Sequence, residues 1–151
     1  MPTILASLTV LSLIGGGWVP APQESFDRDA GVLCDVPIHA EPIVDHVMKK
    51  TLANGDEIYA GKLIVRVTDT DNGDYYDADA SGTALVNYAD DGTQTWYVTG
   101  PVLFGFRENG GTLPRGLWII DGVYRVVFAP SGYKTVTMVH GTTTDVCPRI
   151  E

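Results

Sequence analysis

The chain has 151 residues, 10 basic against 19 acidic, and a formal net charge of −9. That length makes one domain with a real hydrophobic core. The acidity is uneven: between positions 69 and 91 lie seven Asp and no Lys or Arg, a surface that repels phosphate backbones and argues against a nucleic-acid partner.

The chain opens on an apolar run at 5–14 (LASLTVLSLI), followed by Gly15-Gly16-Gly17 and then Val19-Pro20-Ala21. The run is shorter than the roughly 20 apolar residues that span a bilayer, so no stable membrane anchor is expected. Its length and small-residue end fit a signal peptide over 1–21, cut after Ala21. No Lys or Arg precedes Arg28, so the basic segment that normally opens such a leader is missing; an N-terminal strand or helix packed on the core is the alternative. Residues 22–33 are polar and proline-flanked and read as a flexible lead-in. The domain proper is 34–151, framed by the two cysteines, Cys34 and Cys147. Two cysteines at opposite ends of one domain suit an oxidising compartment and point to one disulfide joining the ends, with two unpaired buried thiols as the alternative. No Cys-x-x-Cys or Cys/His spacing suggests zinc.

Residues 43–53 (IVDHVMKKTLA) put Val44, Val47, Met48 and Leu52 at helical spacing, with Pro42 at a helix start and Asn54-Gly55 at a stop, so periodicity alone predicts a short helix. From 62 the texture is β. In KLIVRVT (62–68), Leu63, Val65 and Val67 share one face and Lys62, Ile64, Arg66 and Thr68 the other. Asp71-Asn72-Gly73-Asp74 is predicted as a type I′ hairpin turn. Residues 76–88 return, with a bulge at Ser81-Gly82. Asp91-Gly92 turns the chain into 93–99, and 102–107 continues past a Gly100-Pro101 corner. After a loop at 108–114, 116–120 and 123–128 flank Asp121-Gly122, predicted as a third tight hairpin. Pro130-Ser131-Gly132 turns into 133–140, and 141–147 finishes the chain. Short strands separated by turn chemistry predict an all-β fold: an antiparallel barrel or sandwich of about eight to ten strands.

Cys34-Asp35-Val36-Pro37, Gly61-Lys62-Leu63, the hairpin at 69–74, Pro114-Arg115-Gly116-Leu117, and His140-Gly141-Thr142 running to Asp145-Val146-Cys147 are similar to a pattern in small secreted actinobacterial proteins of uncharacterised function. The resemblance covers most of 34–147. It implies an all-β domain with an N-to-C disulfide and a strand, rather than a helix, at 43–52. It carries over no catalytic residue.

Candidate chemistry is sparse, and no cofactor is expected. Asp69, Asp71 and Asp74 could gather at a hairpin tip and offer calcium hard oxygen ligands, although Gly73 comes one position early for an EF-hand and no Glu closes the loop; scattered Asp on a solvated turn is the plainer reading. His39, His46 and His140 lack ligand spacing. No Gly-x-Ser-x-Gly is present. The aromatic residues offer a lead: alternation puts Trp96 and Tyr97 on opposite faces of one strand, and with Trp118 they are candidates for a ligand surface, against the default of core packing. The expected function is a secreted, extracellular or envelope-associated non-catalytic module whose partner is a small molecule, an envelope component or another protein. The alternatives are a small secreted β-barrel enzyme of hydrolase or isomerase type, using carboxylates or His140, and a self-associating envelope protein.

Overall fold

The computed structural model describes residues 17–151. The apolar run at 5–14 lies outside them. Among the described residues there are twelve strands, one 3₁₀ turn (Cys147–Arg149) and no α-helix; no helix there is long and apolar enough to cross a membrane. The strands are β1 (Val19–Pro20), β2 (Phe26–Arg28), β3 (Ile38–Asp45), β4 (Met48–Thr51), β5 (Glu57–Ala60) and β6 (Leu63–Asp69). They continue as β7 (Tyr75–Asp79), β8 (Thr83–Tyr88), β9 (Gln94–Thr99), β10 (Val102–Phe106), β11 (Gly116–Phe128) and β12 (Lys134–Asp145). A Cys34–Cys147 disulfide joins the two ends of the domain.

Twelve segments appear where eight to ten were expected because the long strands bend in mid-course. β3/β4, β5/β6, β7/β8 and β9/β10 are each one extended run broken by two or three residues, and each neighbour in the meander bends at the same level. Backbone bonds mark this crease from strand to strand: His46 N–H to Lys62 O (2.8 Å), Ala80 N–H to Leu63 O (2.9 Å), Gly82 N–H to Pro101 O (2.6 Å) and Gly100 N–H to Gly122 O (2.8 Å). Gly122 then pairs with Gly141 on β12.

At that last pair the chain requires glycine. Gly122 has φ 138° and Gly141 φ 144°; a Cβ on Gly122 would lie 2.1 Å from His140 O, and one on Gly141 2.0 Å from Asp121 O. Asp121-Gly122 is therefore not the third hairpin turn but a bend inside the 13-residue β11, which pairs with β12 on both sides of it. An Asp-Gly pair supplies the positive φ of a turn and of a bend alike; only the strand alongside distinguishes them.

The true turns use one local device. In 52–56, 89–93 and 129–133 a glycine with φ near 90° closes a three-residue loop, the pattern of a type I turn followed by a bulge glycine. The preceding Asn54, Asp91 or Ser131 side chain accepts the N–H two residues on. The 69–74 hairpin is a longer version, with Asn72 Oδ1 accepting from Asp74 N–H. Its predicted type I′ geometry is corrected: Asn109 is the one non-glycine with positive φ among the described residues, so only Gly73, at φ 82°, takes that conformation.

Residues 43–52 are not helical: 43–45 end β3 and 48–51 form β4. A bulge between Pro42 and Val44 leaves Ile43 outside, and the corner at His46-Val47 interrupts the alternation again. Each irregularity shifts the apolar phase by one residue, which mimics helical spacing.

The sheets are β1-β4-β5-β8-β9-β11-β10, with β12 on β11, and β2-β3-β6-β7. The barrel alternative is corrected: β7 bonds only to β6 and β10 only to β11, so the sheets part below the Gly82–Gly100 crossing instead of closing. β10 and the first half of β11 run between two apolar clusters. Leu103, Leu117 and Ile119 face one, with Ile38, Val65, Val67 and the disulfide; Phe104, Phe106, Trp118 and Ile120 face the other, with Val86, Val98 and Val126. A strand covered on both faces loses its polar alternation, which accounts for the unbroken apolar runs VLFGF and GLWII.

Candidate functional site: the cleft between the sheets

Where β7 and β10 part, the two clusters do not meet completely. A cleft of about 380 Å³ remains, and a second lobe of about 260 Å³ continues from it, sharing Gln23, Leu63, Ala80, Trp96 and Val102 in its lining. The first lobe is in the size range of ligand pockets, roughly 300–1,000 Å³. Its walls follow from strand alternation. Leu63 and Val65 point inward from β6, opposite Arg66, which pairs outside with Asp77 (2.8 Å). Across the cleft stand Trp96 from β9, Phe104 from β10, Leu117 and Phe128 from β11. Trp96 lies 4.9 Å from the Phe128 ring and 5.8 Å from the Phe104 ring in tilted arrangements, the geometry that aromatic quadrupoles favour.

The stretch 22–33 crosses the mouth. Ala21 N–H donates to Val47 O at 2.9 Å, Gln23 N–H to Asp45 Oδ2 at 2.7 Å, and β2 pairs with β3. Asp27 on β2 lies opposite His39 on β3, 2.7 Å from its Nδ1. That bond raises the His39 pKa against the opposing effect of partial burial, and Glu41 adds to the rise. Phe26 and Arg28 of β2 line the cleft; cleavage after Ala21 would remove β1 and leave β2 in place.

The first lobe has three cations in its lining. Arg28, Arg107 and Lys134 line it, with Glu24 the one carboxylate among the lining residues. The Lys134 ammonium sits 5.5 Å from the Phe106 ring and 5.9 Å from the Phe128 ring. Burial, and secondarily Arg107, lower its pKa. β11 and β12 bend so far that their ends come back beside the 107–115 loop: Lys134 N–H donates to Gly110 O and Thr112 N–H to Lys134 O, both at 3.0 Å. That clasp sets Lys134 beside Arg107. At the far end of the second lobe Tyr88 and Tyr59 donate to Glu57 at 2.5 and 3.2 Å, and Lys49 pairs with the same carboxylate at 3.0 Å. The Tyr88 bond, ahead of those from Lys49 and Tyr59, holds the Glu57 pKa below the ordinary carboxylate value, against partial burial.

Of the residues singled out in sequence, Trp96 lines both lobes. Tyr97 points the opposite way, half exposed on the outer surface, as alternation requires. Trp118 is part of the second cluster, its indole N–H donating to Pro114 O at 2.9 Å, and does not line the cleft. Asp69 is buried and accepts from Asp71 N–H at 2.9 Å, whereas Asp71 and Asp74 are exposed. Their carboxylates do not converge: among the described residues, the one trio of potential ligand atoms within 4.8 Å is Cys34, Cys147 and Glu151, whose sulfurs form the disulfide. His46 and His140 are exposed and the three histidines are not brought together. Sequence reasoning missed Arg28, Arg107 and Lys134, which stand far apart in the chain; their one shared signal is that each sits at a strand end.

Compared with known proteins, the chain matches no family model, no curated protein and no solved structure.

Proposed function

We propose that the chain works outside the cell as a non-catalytic binding module that takes a small, largely apolar molecule between its two sheets. The observation that carries this reading is the two-lobed cleft that meets at Trp96, walled by aromatic and aliphatic side chains from both sheets. Apolar pockets with few, placed polar groups are the usual form of small-molecule sites. Placement outside the cell is supported by the leader-like run at 5–14 and by the disulfide.

Titration with Nile red, a neutral apolar dye, tests the reading on the oxidised protein. Its fluorescence should rise saturably, and Val102→Trp, which places an indole where the lobes join, should abolish the rise while the protein stays folded. An absent rise, or one that survives the plugged variant, overturns the reading.

A second reading, self-association, has its own observation. β12 is the last strand beyond β11, and past Val136 no strand pairs with its outer edge among the described residues, a template for pairing with another chain. Sedimentation velocity over a hundredfold range of concentration tests it; a constant monomer refutes it.

A further inference from the structure

We propose that the cleft selects an amphiphilic carboxylic acid, an aliphatic chain in the Trp96 lobes with its carboxylate held by Lys134, Arg107 and Arg28. This rests on the reading of the cleft as a binding site and names the ligand class.

Charge distribution is the first ground. The chain carries −9 and only ten basic residues, yet three of those ten line one apolar cleft beside a single carboxylate, Glu24. Elsewhere three basic side chains pair with acids, Lys49 with Glu57, Arg66 with Asp77 and Arg115 with Asp35, while Lys50, Lys62, Arg125 and Arg149 stay unpaired among the described residues without lining either lobe of the cleft. Among the described residues, no carboxylate lies within 4.0 Å of Lys134, Arg107 or Arg28.

The second ground is the local environment of those cations. Lys134 is half-buried against the Phe106 and Phe128 rings, and both burial and the neighbouring Arg107 disfavour its charged form. A carboxylate arriving there relieves the repulsion and replaces lost solvation with charge-assisted hydrogen bonds.

The third ground is asymmetry. The second lobe contains no cation in its lining, and Val47, Gly82 and Ala84 contribute to its apolar wall. An inorganic anion would leave both lobes empty, and a neutral hydrocarbon would leave three cations unanswered. A molecule with one anionic end and one aliphatic end satisfies both.

Calorimetric titration of the oxidised protein with laurate and with dodecanol, which share a chain length and differ in head group, tests the proposal. Laurate should bind at least about tenfold more tightly, the size of one hydrogen bond to a charged group, and added salt should weaken laurate alone. Lys134→Met keeps the apolar stem and should lower the laurate preference about tenfold with dodecanol unchanged. Arg107→Gln, at an exposed position, should reduce the preference in the same direction without touching the core. Equal binding of the two ligands, or a preference unmoved by both variants, overturns the carboxylate assignment while leaving the apolar cleft standing. Binding of neither ligand overturns the cleft reading itself.

Discussion

Gly122→Ala is the sharpest test of the creased sheet, with Gly132→Ala as its control. Both glycines have positive φ, 138° and 89°, so each alanine meets a left-handed backbone cost of roughly 1–2 kcal/mol. At Gly132 nothing lies within 4 Å of the new Cβ, and the stiffer unfolded chain offsets about 0.4–1 kcal/mol of that cost. At Gly122 the Cβ would stand 2.1 Å from His140 O and 2.6 Å from Gly141 Cα. Neither neighbour is a side chain that can swing away. The two strands must separate there, which breaks the pairing of Gly122 with Gly141 and pulls on the Gly100 N–H to Gly122 O bond. Backbone strain and one or two orphaned polar groups put the total at about 3–5 kcal/mol, a large part of the roughly 5–15 kcal/mol that holds such a domain. Urea unfolding of the oxidised protein, followed by tryptophan fluorescence at constant m, should show the Gly122→Ala midpoint at least about 1 M below that of Gly132→Ala. Midpoints that coincide would refute the claim that the crease depends on backbone contact at this pair.

Three further outcomes follow from particular contacts. Replacing both Cys34 and Cys147 by Ser opens a loop whose ends are 113 residues apart and should cost about 5 kcal/mol in the chain-entropy model; a loss under about 1 kcal/mol in the same urea assay would sink the view that the staple holds the ends. Tyr124→Phe removes a buried hydroxyl that donates to Ile120 O at 2.8 Å, and calorimetric unfolding should report a loss of about 1–2 kcal/mol; an unchanged melting temperature refutes that bond. The Asp27 bond raises the His39 pKa above its ordinary 6.5. The stabilisation of β2 is therefore complete below 6.5 and fades as pH climbs through the raised value. NMR titration should show the His39 midpoint falling back toward 6.5 in Asp27→Asn, and a midpoint that does not move removes the link.

The turns were legible in the sequence because their causes are local. Asp91-Gly92 and Ser131-Gly132 each contain both the side chain that accepts the turn N–H and the glycine that takes positive φ; Asn54-Gly55 has the same chemistry, but beside the helical spacing of 43–53 it reads as a helix stop. The inward face of β6 was legible for a similar reason, since Leu63, Val65 and Val67 alternate without interruption. Asp121-Gly122 shows where such reading ends. Its local chemistry is that of a turn, and the fact that β11 bends there yet continues as one strand is held in the paired β12. The helical spacing at 43–52 misleads in the same way, because a bulge and a corner are features of pairing.

For the candidate site the division is clearer. Alternation puts Trp96 and Tyr97 on opposite faces; that Trp96 is the one in the cleft and Tyr97 the exposed one was decided by the packing of the sheets. Trp118 could not be placed by that rule, because β11 is covered on both faces. Arg28, Arg107 and Lys134 share no spacing at all.

The sequence by itself therefore determined the all-β texture, the reversals at 69–74, 89–93 and 129–133 and the two cysteines that come to staple the ends, because each depends on a few neighbouring residues. Only the tertiary structure decided that the sheets part between β7 and β10, that β11 curls back until Lys134 reaches Gly110 and Arg107, and that a cleft opens at Trp96. Those outcomes depend on which backbones approach which, and the crease that sets them is a row of glycines and corners matched across neighbouring strands.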